Sequence, residues 1–269
     1  MSEIPQESTA TGALQELRRF TPARIALGRA GSSVPTRYLL EFGVAQARAR
    51  DAVFDDARAD ELLDAVRAEC EFALGVRSEV LDRAQYLQRP DLGRRLCADD
   101  RRRLADVAGR IPADRRAIVF VLADGLSPVA RLRHGLPLLR LLRQNAPAWR
   151  EFPVVVADFA RVALGDEIGQ LLGAGQVAML IGERPGLTAP DSLGIYLTHA
   201  PRIGRTDAQR NCISNIRPQG LGYESAAMQL FALSEGARRL GCTGVNLKVE
   251  LPPPSDLKFE PQPGPQLDR

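Results

Sequence analysis

Three short, continuous apolar runs limit the folds that are open to this chain. They cover residues 117–122, 154–156 and 177–181. Uninterrupted runs of this length are typical of strands that are buried on both faces of a parallel sheet. Helical patterns follow the first two runs, at residues 128–144 and 166–172. The alternation predicts an α/β fold, with a Rossmann-like, mostly parallel α/β domain after an N-terminal helical region.

The chain before residue 112 is predicted to be mainly helical. A first helix is expected to begin at Pro35, with Ser33 capping its free amides, and to end near residue 53. Its apolar residues are expected in the core, and they are Leu39, Leu40, Phe42 and Val44. Further helices are predicted over residues 60–74, 78–88 and 94–108.

These patterns divide the chain into four parts: an N-terminal arm (1–30), a helical domain (31–112), an α/β domain (113–251) and a proline-rich, disordered tail (252–269). The α/β domain is expected to end with a helix over 223–240 and a strand over 243–249. In the arm, a short amphipathic helix is predicted with Leu14, Leu17 and Phe20 on one side. We favour packing of this helix on its own subunit over docking on a partner or a compartment shell.

Composition excludes several classes of protein. No apolar run approaches the roughly 18 residues of a membrane span, and the N-terminus has no secretory-signal pattern. Four scattered cysteines without a CxxC motif favour a reducing, cytoplasmic location and no zinc site. The net charge is +3 and arginines are interspersed with acidic residues, so nucleic-acid binding is not expected.

Familiar catalytic motifs are also missing from the sequence. It has no GxSxG elbow and no GxGxxG fingerprint, and its two histidines, His134 and His199, lack metal-ligand spacing. Asp124 and Ser127 follow the first predicted strand, where ligands of α/β sheets bind. They either cap the next helix or help present its amides to an anion, and the two interpretations are compatible.

A long polar segment, residues 181–220, is dense in Gly, Pro, Arg, Asn, Asp and Ser. Connections in compact domains are usually far shorter, and long ones are usually functional or disordered. A strand-like run at residues 193–198 gives this segment an apolar anchor, so disorder is not expected. A polar segment held on a scaffold is suited to binding a large polar ligand or a partner subunit.

Motifs in this segment closely resemble those of the small (light) subunit of ethanolamine ammonia-lyase. They are GERPGL at 182–187, DSLGIYLTHAP at 191–201 and DAQRNCISNIRPQGL at 207–221. Three upstream motifs agree and occur in the family's order, namely RIALGRAGSSVPTRYLLEF at 24–42, YLQRPDLGRRL at 86–96 and ADGLSPVA at 123–130. The resemblance extends from about residue 24 to residue 248.

This resemblance implies an adenosylcobalamin-dependent lyase that converts ethanolamine to acetaldehyde and ammonia. It also implies a large, TIM-barrel partner subunit that carries most of the substrate binding and radical chemistry, so no catalytic residue is expected in this chain. The sequence lacks the DxHxxG loop that supplies a histidine to cobalt in many cobalamin proteins. Cobalamin is therefore expected to stay base-on, with its own dimethylbenzimidazole on cobalt. The resemblance also implies a location in the cytoplasm or inside a bacterial microcompartment.

The family's cobalamin contacts map onto Val162, Glu183 and Cys212. Glu183 suits the amides of the corrin rim, Val162 offers apolar contact, and Cys212 offers a small polarisable one. Without the resemblance, Val162 would be taken for a core residue, Glu183 for an ion pair with Arg184, and Cys212 for a small buried residue. Five further residues can bind corrin amides, the phosphate of the nucleotide tail or the partner, or satisfy loop carbonyls: Arg184, Arg210, Asn211, Asn215 and Arg217.

Two other function classes remain open from the sequence. One is a non-catalytic cobalamin-binding module, such as a carrier or a regulator. The other is a stand-alone α/β nucleotide-dependent enzyme that uses Asp124 and Ser127.

Overall fold

A six-stranded sheet runs through the centre of the computed structural model, which describes residues 16–55 and 59–248. Along the chain the strands are β1 (Ala73–Arg77), β2 (Ile118–Ala123), β3 (Val154–Asp158), β4 (Gln176–Gly182), β5 (Leu193–His199) and β6 (Asn211–Ile216). Their order in the sheet is β1-β3-β2-β4-β5-β6, and the first four in that order are parallel. Strands β5 and β6 are added antiparallel. The predicted mostly parallel α/β fold with N-terminal helices is confirmed.

Helices cover both faces of the sheet. They are α1 (Thr36–Phe54), α2 (Ala59–Arg67), α3 (Arg83–Gln88), α4 (Ala98–Ala108), α5 (Leu136–Asn145), α6 (Leu164–Leu172) and α7 (Tyr223–Leu240). A helical turn at Pro128–Ala130 continues through the π-helical segment Arg131–Gly135 into α5. Short 3-10 turns lie at Leu17–Arg19, Leu92–Arg94, Ala113–Arg116, Pro147–Glu151, Asp207–Gln209 and Gly244–Asn246. No helix in the described ranges is long and apolar enough to cross a membrane.

Alternate residues of the central strands build two apolar cores. Phe120 and Leu122 of β2 pack with α2, α5 and α7 on one face of the sheet. Val119 and Val121 pack with α4 and α6 on the other face. All six residues of β2 are buried, as the continuous apolar run predicts for a strand that is covered on both sides.

Strand β1 corrects the prediction of a helix over residues 60–74. The helix ends at Arg67, and Ala73–Arg77 pairs in parallel with β3 at the edge of the sheet. A Cβ at Gly75 would lie 2.6 Å from Leu63 Cδ2, so a glycine there allows α2 to pack closely on the strand. The region 31–112 therefore supplies an edge strand as well as helices, and the division of the chain at residue 112 stays a prediction.

The first helix also differs from its prediction. Ser33 forms an isolated bridge with Ala30 and does not cap α1, whose N-cap residue is Pro35. The residues predicted to be buried are exposed instead, with Leu39 at 61%, Leu40 at 67%, Phe42 at 43% and Val44 at 52%. The buried side of α1 consists of Tyr38, Ala45 and Ala52. The helix thus packs through one large and two small residues, and its aliphatic side faces outward.

Other differences lie at the ends of the chain and in its third helix. The helix predicted for residues 78–88 begins only at Arg83, where the Asp82 carboxylate accepts a 2.8 Å hydrogen bond from the Gln85 amide. Residues 244–246, predicted as a strand, form a 3-10 turn instead. Residue 249, Leu14 and the predicted tail at 252–269 lie outside the described residues, while Leu17 and Phe20 are exposed.

Candidate functional site

An open cavity of about 430 Å³ lies at the carboxyl edge of β2, β3 and β4. This is the edge at which parallel α/β sheets bind their ligands. Its walls come from separate segments and include Tyr86 of α3, Gly125 after β2, Arg161 and Val162 after β3, Glu183 after β4, and Tyr196 of β5. Ser214 of β6 completes the side that faces away from β3.

Two glycines let the loops after β2 and β4 touch at this edge. A Cβ at Gly125 would lie 2.1 Å from the Gly182 carbonyl oxygen, and a Cβ at Gly182 would lie 2.1 Å from the Ser127 carbonyl oxygen. Gly125 also has a positive φ of 56°, which a glycine adopts without strain. The Leu126 amide donates a 3.0 Å hydrogen bond to the Gly182 carbonyl, so the two loops are joined directly.

Glu183 connects the end of β4 to β6. Ser214 Oγ donates to its Oε1 at 2.5 Å, and the Asn215 amide donates to its Oε2 at 3.1 Å. A Cβ at Gly194 would lie only 2.9 Å from Oε1, so a glycine at this position of β5 makes room for the carboxylate. The hydrogen-bond partners of Glu183 in the described part of the chain are Ser214 and Asn215, and no ion pair joins it to Arg184 there. The interpretation of Glu183 as half of a surface ion pair is therefore wrong.

Cys212 lies beside the cavity, opposite Tyr196 in the β5–β6 ladder. It is exposed, so the interpretation as a small buried residue is wrong. Partial burial of the sulfur nevertheless raises the pKa of the Cys212 thiol. Burial, aided by the neighbouring Cys212, raises the pKa of Tyr196 to about 12. Both groups stay protonated near neutral pH, and a protonated thiol is a poor nucleophile.

Val162 is half-buried in the loop that follows β3, where it packs against the apolar core and also lines the cavity. The backbone before it is held on several sides. Asp124 Oδ1 accepts a 2.9 Å hydrogen bond from the Ala160 amide, and Tyr86 donates a 2.9 Å bond to the Ala160 carbonyl. The Arg161 amide donates to the Gly93 carbonyl at 2.8 Å.

Asp124 and Ser127 have structural partners in place of the proposed ligand contacts. Asp124 is buried, accepts from the Gly125 and Ala160 amides, and forms an ion pair of 3.2 Å with Arg83. Burial raises the pKa of Asp124, while the nearby arginines oppose this shift. Ser127 Oγ donates to the Pro190 carbonyl at 2.9 Å and does not cap the following helix. The carboxylate therefore ties loops together, which disfavours a stand-alone nucleotide-dependent enzyme built on this pair.

Four of the five remaining candidates stabilise the polar segment internally. Arg210 is buried and forms a bidentate ion pair with Asp166. Asn211 Oδ1 accepts a 2.7 Å bond from the Gly244 amide. Asn215, at a φ of 59°, accepts a 3.0 Å bond from Arg217 Nε. Arg184 differs, because it is exposed and lines the cavity without an ion pair in the described ranges.

The structure therefore brings Val162 and Glu183 into one cavity and places Cys212 next to its wall. The motif-based reasoning missed Tyr86, Arg161, Tyr196 and Ser214. Tyr86, Tyr196 and Ser214 lie inside the motifs quoted above, and Arg161 directly precedes Val162. The sequence does not reveal β6, because its two buried residues, Ile213 and Ile216, are separated by polar residues and give no alternating pattern.

The fold and the cavity define an α/β protein whose loops form an open cavity at the carboxyl edge of the sheet, with no histidine among the cavity-lining residues of the described ranges. The model of the family described as ethanolamine ammonia-lyase light chain matches residues 11–248. The chain belongs to this family and is an ammonia-lyase subunit, which confirms the resemblance seen in its motifs.

Relatives agree over nearly the whole chain. The ethanolamine ammonia-lyase small subunit of Pseudomonas fluorescens (strain Pf0-1) is 52% identical over 240 residues, which cover 87% of this chain and 86% of that protein. The small subunit of Azotobacter vinelandii is 52% identical over 238 residues, with 88% of each chain covered. That of Ralstonia nicotianae is 51% identical over 239 residues, with 87% of each covered.

Proposed function

We propose that this chain is the small subunit of an adenosylcobalamin-dependent ethanolamine ammonia-lyase, which converts ethanolamine to acetaldehyde and ammonia. In this proposal Val162, Glu183 and Cys212 hold the cobalamin base-on at the interface with a large catalytic subunit. The observation that carries the proposal is that Val162 and Glu183, which follow two different strands, line one cavity at the open edge of the sheet, while Cys212 on a third strand lies beside that cavity. Ligand sites of α/β sheets are typically built by residues from several loops beyond the carboxyl ends of the strands.

The chemistry of the lining residues fits a corrinoid. Each oxygen of the Glu183 carboxylate accepts one hydrogen bond from this chain and retains a lone pair for an amide of the corrin rim. Arg161 lines the cavity, and its buried Nε has no hydrogen-bond partner in the described ranges. The guanidinium group of Arg161 is a donor that suits an amide carbonyl or a phosphate oxygen. Val162 adds apolar surface and Tyr196 adds a protonated hydroxyl, while Cys212 lies next to the cavity wall with a protonated thiol.

The cavity is too small and too open to enclose a whole cobalamin. Sites that enclose a drug-sized ligand already occupy about 300–1,000 Å³ and bury most of the ligand's surface, whereas this cavity of about 430 Å³ opens to solvent. This chain would therefore hold one side of the cofactor, and a second polypeptide would cover the other side. That division supports the role of a small subunit beside a large one.

When bound, adenosylcobalamin supplies radical chemistry through homolysis of its cobalt–carbon bond. The residues of this chain bind and orient the cofactor and shield it from water. The two histidines of the chain do not line the cavity, so neither is placed to ligate cobalt from it. Substrate binding and proton transfer are assigned to the large subunit.

The experiment is a titration of the reconstituted two-subunit complex with cobalamin, followed by absorption spectroscopy. Glu183→Gln removes the charge but keeps the shape of the side chain, and a hydrogen bond to a charged group contributes about 1.5–3 kcal/mol. We expect binding weaker by about 10- to 100-fold, since about 1.4 kcal/mol is a factor of ten. The matched control is Glu224→Gln, an exposed carboxylate in the first turn of α7. Unchanged affinity in Glu183→Gln would contradict the assigned site, and absence of binding by the unmodified complex would contradict the function.

A further inference from the structure

Glu183 is the only carboxylate among the described residues that line the cavity at the carboxyl edge of the sheet. Its side chain is half-buried, and a glutamate side chain is long and flexible. A ligand that has to fix such a side chain on binding loses affinity, unless the protein has already fixed it. The groups that hold the Glu183 carboxylate before a ligand arrives therefore help to set the affinity of the site.

Two consecutive residues of β6 hold the Glu183 carboxylate, with one donor for each oxygen. Ser214 Oγ donates to Oε1 at 2.5 Å, and the Asn215 amide donates to Oε2 at 3.1 Å. We call these two donors the Glu183 clamp. Rotation of the carboxylate about its last bond would break at least one of the two contacts. Each oxygen retains a further acceptor position, so the Glu183 clamp orients the carboxylate and leaves it able to bind a ligand.

The Glu183 clamp depends on an uncommon backbone conformation at Asn215. Its φ of 59° lies in the left-handed region, where asparagine is one of the few non-glycine residues that occur often. The turn that follows holds this conformation, because the Leu221 amide donates a 2.8 Å hydrogen bond to the Asn215 carbonyl. Gly220 lets the turn close, since a Cβ there would lie 2.3 Å from the same carbonyl oxygen. Backbone conformations of this kind are concentrated at ligand sites.

The sheet does not need the Glu183 clamp for its own stability. Strand β5 lies between β4 and β6, and backbone ladders join it to each of them. Ser214 and Asn215 are exposed, and substitutions at exposed positions usually change the free energy of unfolding little. Ser214 and Glu183 line the same cavity. The contact between them is therefore better explained by the orientation of the carboxylate than by the packing of the strands.

We propose that Ser214 is a positioning residue for cobalamin binding, which holds the Glu183 carboxylate in the orientation that accepts from an amide of the corrin rim. The inference rests on the proposed function, because it takes Glu183 to be a cofactor contact. It goes further by assigning Ser214 a role that it performs through Glu183 and not by touching the cofactor. The hydroxyl of Ser214 should therefore matter only while Glu183 is present.

The test is a double-mutant cycle on the reconstituted two-subunit complex, with cobalamin affinity measured by absorption spectroscopy. Its variants are Ser214→Ala, Glu183→Ala and the two combined. We expect Ser214→Ala to weaken binding by about 3- to 10-fold, which is the loss that one hydrogen bond of typical strength produces. In the Glu183→Ala background the same change should have no further effect, because residues that act as one unit are not additive. Ser214→Thr keeps the hydroxyl and should restore binding.

The matched control is Ser234→Ala in helix α7. Ser234 Oγ donates to Gln176 Oε1 at 2.5 Å, at the opposite end of β4 from Glu183, so this variant loses a comparable bond away from the cavity lining. It should bind cobalamin normally, and circular dichroism checks that every variant is folded. In the lyase assay, Ser214→Ala should raise the KM for adenosylcobalamin and leave kcat at saturating cofactor nearly unchanged.

Three outcomes would refute the positioning role: normal binding by Ser214→Ala, an equal further loss in the Glu183→Ala background, or an equal loss in Ser234→Ala. Failure of the proposed function has a different signature. In that case the unmodified complex binds no cobalamin, or Glu183→Ala binds it normally. Weak binding by Glu183→Ala together with normal binding by Ser214→Ala would leave the proposed function intact and refute the role of Ser214 alone.

Discussion

Replacement of Arg210 by methionine should destabilise the protein and loosen the strand that carries Cys212. The guanidinium donates to both oxygens of Asp166, at 2.5 and 2.6 Å, and the two side chains are 1% and 2% exposed. It also donates to Thr198 Oγ1 and to the Arg205 carbonyl, each at 3.0 Å. This network anchors the polar segment directly before β6, two residues ahead of Cys212.

The expected loss of stability in Arg210→Met follows from the burial of the ion pair. Removal of one partner of a buried ion pair leaves an uncompensated charge and costs about 3–5 kcal/mol. Domains have free energies of unfolding of about 5–15 kcal/mol, so Arg210→Met should be strongly destabilised. Asp166→Leu combined with Arg210→Met removes both charges and should be more stable than Arg210→Met alone.

The pH dependence of this loss has a definite sign. Burial raises the pKa of Asp166 in spite of the opposing hydrogen bonds from Arg210. Without Arg210 that pKa rises further, so the folded variant gains a proton more readily than the unfolded chain. Stability gained in this way is present at low pH and is lost as pH rises through the folded pKa. The deficit of Arg210→Met relative to the unmodified protein should therefore be smaller near pH 5 than near pH 8.

Urea unfolding followed by circular dichroism measures these differences. Arg238→Met is the matched control, because Arg238 pairs with Glu235 on the surface, where the side chains are 73% and 60% exposed. Such exposed pairs contribute about 0–1 kcal/mol. The reasoning fails if Arg210→Met is no less stable than Arg238→Met, or if the double variant is less stable than Arg210→Met.

Three more predictions concern the loops, the histidines and the cofactor. Gly182→Ala should lower the melting temperature, because its Cβ would meet the Ser127 carbonyl, whereas Gly109→Ala, with no atom within 4 Å, should not; equal melting temperatures would contradict the close approach. Burial lowers the pKa of His134 and His199 below the ordinary 6.5, so the free energy of unfolding should fall as pH drops through that value. The variant with both residues changed to Gln should show a smaller fall in urea unfolding, and an identical fall would refute this assignment. In the cobalamin-loaded complex, ¹⁵N-labelled imidazole of this chain should give no superhyperfine coupling to cobalt in electron paramagnetic resonance spectra, and observed coupling would overturn base-on binding.

The sequence predicts the centre of the fold far better than its periphery. Strand β2 is a continuous apolar run because helices cover both of its faces, and a short run of this kind is compatible with few structures other than a buried strand. Strand β1 was missed because it is short, lies at the sheet edge and contains Gly75. The apolar residues of α1 were assigned to the core because periodicity shows that a helix has an apolar side but does not show which molecule covers that side.

The same limits apply to the site. The resemblance singles out Val162, Glu183 and Cys212, which follow predicted strands or lie in distinctive segments, and their contact with cobalamin stays a prediction. Tyr196 becomes a cavity residue only through its pairing with β6, and a strand with two buried isoleucines among polar residues gives little periodic signal. The partner of Arg210, Asp166, is 44 positions away in sequence and is brought close only by the sheet.

The contacts of Asp124 have a consequence for the thermodynamics of ligand binding. One buried carboxylate joins the end of β2, the loop that carries Val162 and, through Arg83, helix α3. The inner walls of the cavity are thereby preorganised, and a ligand that enters them has little conformational entropy to remove. The ordering that remains falls on exposed side chains at the mouth such as Arg184. Differences in affinity should then come mainly from the dissociation rate of the ligand, because the inner walls are rigid and only side chains at the mouth of the cavity rearrange.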